Sequence, residues 1–72
     1  MIAAASHIIT TPQIEAIDRL LLLYFDDRHD AASTWLHNHW NVEQPRQLGS
    51  SDRARRVIYV LKYMLRRRGI RV

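Results

Sequence analysis

A chain of 72 residues with no cysteine, 47% hydrophobic content and a formal net charge of +4 has room for one domain and no access to disulfide or thiolate-metal stabilisation. Two glycines and two prolines are too few for the repeated turns of a small all-β domain, so the composition points to an all-α fold of a few long helices. Charge is polarised along the chain: residues 1–51 carry three basic and six acidic side chains, net −3, and residues 52–72 carry eight basic and one acidic, net +7, a distribution suited to an acidic partner.

Residues 1–10 read as a short N-terminal arm of a single helical domain spanning 1–72. Met1 to Ile9 is apolar but has no basic leading segment and falls short of the roughly 20 apolar residues of a membrane span. Neither a secretory signal nor a membrane helix is expected, and a cytoplasmic setting is. Thr10, Thr11 and Pro12 announce the first helix, over residues 12–25, because threonine oxygens cap free backbone donors and proline suits a first turn. Ile14, Ile17, Leu20, Leu21, Tyr24 and Phe25 make its apolar face. Leu22 and Leu23 fall instead among Glu15, Asp18 and Arg19, which marks them for a self-association or partner interface.

The run Asp26, Asp27, Arg28, His29, Asp30 breaks that helix, and Asp30 is the expected N-cap of a second one over residues 30–40. Ala32, Trp35, Leu36, His39 and Trp40 share one side of it, so both tryptophans are expected as core anchors and His39 as a packing residue. Asn41 closes it. The stretch from Asn41 to Ser50, with Pro45 and Gly49, reads as a loop with one tight turn at Pro45–Leu48. A third helix over residues 51–68 is capped by Ser50 or Ser51, has Asp52 in its first turn and arginines in its last, and is stopped by Gly69. At 100° per residue, Ala54, Val57, Ile58, Val60, Leu61, Met64 and Leu65 lie on one arc. Asp52, Arg55, Arg56, Tyr59, Lys62, Tyr63, Arg66 and Arg67 lie on the other. The expected fold is a small three-helix domain with a short arm.

Little in the chain suggests catalysis, a metal or a cofactor, and none is expected. His37 and His39 are about 160° apart around a helix, whereas helical ligands of one ion sit a turn apart. Asp26, Asp27 and Asp30 lack the further oxygens and the glycine turn of a calcium loop, and there is no glycine-rich phosphate loop. The informative feature is the basic face: Arg55, Arg56, Lys62, Arg66 and Arg67 surround Tyr59 and Tyr63, with Arg68 and Arg71 closing the run. Cations that meet phosphates or carboxylates sit beside rings that can stack, and the same composition also suits a solvated helix face. An ordinary helix-turn-helix is not supported, because its turn is about 3 to 4 residues and the segment before the third helix is longer.

From Tyr24 the string YFDDRHDAASTWLHN, followed by Pro45, then Val57 and Leu61, then Gly69, resembles the toxin-binding domain of the Xre/MbcA/ParS-type antitoxins. Ala31, Ala32, Trp35, Leu36, Pro45, Val57, Leu61 and Gly69 carry the likeness. Arg53, Arg55 and Arg56 stand near the place where that family has a glycine before the valine. The resemblance implies a compact helical domain that docks on a RES-type toxin, with its C-terminal end in contact, and blocks it. On that basis the expected function is non-enzymatic and regulatory: stoichiometric neutralisation of a protein partner, as a homodimer or a hetero-complex. The alternatives are nucleic-acid binding through the basic face of the third helix, and phage-type inhibition of a host complex through an acidic surface of that complex.

Overall fold

In the computed structural model, which describes residues 7–72, Thr10 caps the first helix, α1 (Thr11–Phe25), through a reciprocal pair. The Gln13 amide donates to Thr10 Oγ1 (3.3 Å), and the Thr10 amide donates to Gln13 Oε1 (3.0 Å), so two donors without helical partners are satisfied at once. Asp26, at φ +54°, ends α1. The second helix, α2 (His29–Trp40), starts one residue earlier than the acidic spacing predicts. Its N-cap is Arg28, which makes no side-chain cap bond. The Phe25 carbonyl accepts from the Arg28 amide (3.0 Å) and the Arg28 carbonyl accepts from Ala32 (3.1 Å), so the turn closes before Asp30 is reached. Asp30 lies inside the first turn, where its charge favours the positive end of the helix.

Asn41 closes α2 in the left-handed region (φ 59°, ψ 34°), and Pro45–Leu48 forms a 3-10 turn, both as the sequence suggests. Ser50 caps the third helix, α3 (Ser51–Arg67), its Oγ accepting from the Arg53 amide at 3.1 Å. The helix ends at Arg67 rather than 68. Gly69, at φ +86°, donates to Arg66 O (2.9 Å), and Ile70 donates to Leu65 O (3.0 Å). This double closure needs a left-handed residue, and Ile70 packs back on the core beside it.

The fold is all-α, as expected, and α1 packs chiefly against α3. Ile17, Ala54, Val57, Leu61 and Leu65 have no solvent exposure, and Leu20, Leu21, Phe25 and Leu36 complete the centre. Each buried aliphatic side chain contributes roughly 1.5 to 3 kcal/mol, so this pair of helices holds most of the stability. The predicted core arc of α3 is observed, with Ile58, Val60 and Met64 half-buried at its margins.

One expectation needs correction: Trp35 and Trp40 are half-buried rather than core anchors. His39 is exposed but stacks on Trp35. The space between α1 and α3 is closed by their own side chains, so α2 delivers one buried residue, Leu36, and its two bulky indoles pack around the rim. The 41–50 segment is more than a loop, because Val42 and Leu48 are buried in the core. The arm, of which residues 1–6 lie outside the described part, is tied down from His7 on. Ile8 forms an isolated antiparallel bridge with Ser50, the Ile9 amide donates to Gly49 O (3.1 Å), and the Ser51 amide donates to His7 O (2.8 Å). Gln13 Nε2 donates to Ser51 Oγ at 2.8 Å, so the starts of α1 and α3 are clamped together.

Candidate functional site

Because α3 turns Ala54, Val57, Leu61 and Leu65 inward, its helical period leaves Arg55, Arg56, Tyr59, Tyr63, Arg66 and Arg67 exposed. From Arg55 to Arg67 the face runs about 18 Å at 1.5 Å per residue. Tyr59 is 71% exposed and Tyr63 53%, large values for aromatic rings with no covering element. Lys62 is half-buried.

The face divides into two patches. At the N-terminal end, Trp40 from α2 joins Arg55, Arg56, Tyr59 and Val60 around a shallow, almost wholly apolar depression. Trp40 was expected in the core, and here it extends the α3 surface. Its position is set by a residue that sequence reading grouped with the basic cluster: Arg53 Nη2 donates to Trp40 O (2.6 Å) and Nη1 to Leu48 O (3.4 Å), tying α2, the 3-10 turn and α3 together. Trp40 Nε1 is buried without an acceptor among the described residues, so packing rather than a hydrogen bond fixes the indole. No period in the sequence signals this, since Arg53 looks like any other basic residue.

At the C-terminal end, Arg66, Gly69, Ile70, Arg71 and Val72 surround a second depression. Arg66 Nη2 donates to Val72 O (3.2 Å), which holds the last residues back against the helix. Between the patches the Arg67 guanidinium lies 5.8 Å from the Tyr63 ring centre and donates to Tyr63 Oη (3.2 Å). Arg68 is set apart. Its guanidinium stacks 3.9 Å from the Tyr24 ring centre and donates to Tyr24 O (3.2 Å), so it fastens the end of α3 to α1. Among the described residues, the hydrogen bonds of the Arg53 and Arg67 guanidinium groups go to neutral carbonyl and hydroxyl oxygens, which leaves their positive charge available to a partner.

Leu22 and Leu23, the other candidates, are 52% and 44% exposed, off the core as their position on the helix implies. They are remote in sequence from the basic face and belong to α1. His37 and His39 are both exposed. His39 Nδ1 lies 3.0 Å from Trp35 O and its ring stacks on Trp35 at 5.1 Å between centres, a local packing arrangement. Among the described residues no three His, Cys, Asp or Glu side chains converge to hold a metal ion, and no helix is long and apolar enough to cross a membrane. Comparison with protein-family models, with curated proteins and with solved structures finds no match.

Proposed function

We propose that this chain is a non-enzymatic, antitoxin-like binding protein that captures a protein partner stoichiometrically on the outer face of α3 and the turned-back C-terminal segment. The observation that carries the reading is the apolar platform of Trp40, Tyr59 and Val60 bordered by Arg55 and Arg56. Trp, Tyr and Arg are the side chains in which interface energy concentrates. An apolar platform gains free energy when another apolar surface covers it, whereas tracking of phosphates needs only cations. The resemblance to the antitoxin domain adds a second line of support. Of the eight residues that carry the likeness, Leu36, Val57 and Leu61 are buried, Pro45 opens the 3-10 turn and Gly69 makes the left-handed stop, roles compatible with a domain that presents the C-terminal end of its last helix.

Nucleic-acid binding is the second reading, favoured by Tyr59 and Tyr63 standing one helical turn apart, both exposed, among arginines. Titration of the chain against a RES-type toxin, and against duplex and single-stranded oligonucleotides at about 0.15 M ionic strength, where screening extends about 8 Å, separates the two. Capture of the toxin in a fixed ratio with loss of its activity is expected, and Tyr59→Glu with Arg55→Glu should weaken it by at least about tenfold. Tight oligonucleotide binding, with log affinity falling by about 0.7 to 0.9 per phosphate contact against log salt and no toxin capture, would replace the first reading with the second.

A further inference from the structure

Between α1, α2 and residues 43–45 the molecule has a groove of about 380 Å³, within the size range of binding clefts. Its floor is apolar, built from Leu21, Leu22, Leu36 and Pro45, and three carboxylates, Asp18, Asp26 and Glu43, stand along it. One guanidinium, Arg28, also lines it, but its Nε is held by Phe25 O at 3.2 Å, and His29 lies beside it. No residue of α3 lines the groove. The chain's own basic tail is folded back on α3 by the Ile70 to Leu65 and Arg66 to Val72 bonds, so it does not fill the groove.

The platform on α3 has the complementary pattern: an apolar centre of Trp40, Tyr59 and Val60 with Arg55 and Arg56 at its border, and Tyr59 standing out at 71% exposure. One surface is an apolar concavity with anions, and the other carries an exposed tyrosine beside a shallow apolar depression bordered by cations. No residue lines both surfaces, so each is left to another molecule. We infer that the α1–α2 groove receives Tyr59 of a second copy of this chain, with Arg55 and Arg56 of that copy facing Asp18, Asp26 and Glu43, and that the protein assembles head to tail.

Such a contact is heterologous, joining two different patches, so every assembly keeps one free face at one end and one free groove at the other and grows with concentration. It also covers the platform proposed to capture a partner, which makes self-assembly and partner capture mutually exclusive. The test involves this chain alone and so stands apart from the toxin experiment. Sedimentation of the wild-type chain should show mass rising with concentration at about 0.1 M salt and falling back at about 1 M, as screening shortens from about 10 Å to about 3 Å. Asp18→Lys with Glu43→Lys removes the groove, and Arg55→Glu with Arg56→Glu removes the face. All four positions are exposed, and circular dichroism checks that both variants fold. Each variant alone should associate at least about tenfold more weakly than wild type. Mixed together, they should recover assembly, because the intact face of one meets the intact groove of the other and the two reversed surfaces are again opposite in charge. Tyr59→Ala repeats the test without reversing charge. A wild-type chain that stays monomeric at high concentration would overturn the proposal, as would variants that associate like wild type or that ignore each other when mixed. A symmetric dimer through Leu22 and Leu23 would show itself as association that survives both charge reversals.

Discussion

Helices α3 and α2 each have an apolar side, sharply segregated in α3 and blurred in α2, and they are held in different ways. α3 places four residues with no exposure against α1 and has side-chain or backbone closure at both ends. α2 buries Leu36 alone and begins without a side-chain cap. What fixes α2 comes from its neighbours: Arg28 Nε on Phe25 O (3.2 Å) at one end, Arg53 on Trp40 O at the other, and the Phe25–Trp35 ring contact, 6.4 Å between centres, along its length. A helix that owns its share of the core is stable through burial, and one at the rim depends on a few specific bonds. Exposed apolar surface then collects where the second kind meets the first, as at the Trp40–Tyr59 platform.

The sharpest way to break that contrast is to hollow out each helix in turn. Leu61→Ala removes a side chain with no exposure and should cost about 2 to 5 kcal/mol, a large part of the stability of so small a domain. Trp35→Ala removes a larger but half-buried side chain and should cost less, roughly 1 to 3 kcal/mol, leaving a folded protein with a lower melting temperature. Chemical denaturation of the two variants reads the difference. Equal losses would mean that the indole is as central as its size suggests.

The polar bonds come next in size. Arg53→Met keeps the stem but loses the donors to Trp40 O and Leu48 O, and should cost about 1 to 2 kcal/mol. Hydrogen exchange sharpens this one, because amides at the end of α2 should lose protection while those in the middle of α3 keep theirs. Helix caps should follow the same division. Thr10→Ala and Ser50→Ala each remove a bonded cap oxygen and should lower stability by about 1 kcal/mol. Asp30→Asn, at a position without a cap bond, should lose only the charge–dipole contribution of about 0.3 to 1 kcal/mol.

The same contrast explains how much could be read from the sequence. In α3, apolar and charged residues segregate at the helical period, Ser50 and Gly69 mark the ends, and the inner and outer faces follow directly. In α2, two tryptophans within six positions suggest a centre of packing, yet burial depends on how much room α1 and α3 leave, which no local pattern encodes. Val42 and Leu48 flank a proline in a polar stretch, so their burial was hidden by their surroundings. The outer face of α3 was legible as a set of residues, but its division into two patches was not. That division depends on Trp40 arriving from another helix and on Arg68 turning away to α1.

Two neighbouring arginines carry the finest version of the comparison. Arg67 and Arg68 are adjacent and both exposed, yet one belongs to the outer face and the other to the contact with α1. Arg68→Gln gives up a guanidinium 3.9 Å from the Tyr24 ring centre and a bond to Tyr24 O, and should cost about 0.5 to 1 kcal/mol. Arg67→Gln gives up a surface contact with Tyr63 one turn away and should change stability by less than about 0.5 kcal/mol. Their effects on a bound acidic partner should be reversed. Losing the charge of Arg67 from the outer face should slow association and flatten its salt dependence, because exposed charges act mainly on encounter rates. Losing Arg68, whose charge faces Tyr24, should do so less. Thermal melts and association rates at two salt concentrations, measured on both variants, read these opposite rankings, and a single shared ranking would show that the two arginines act as one undivided basic surface.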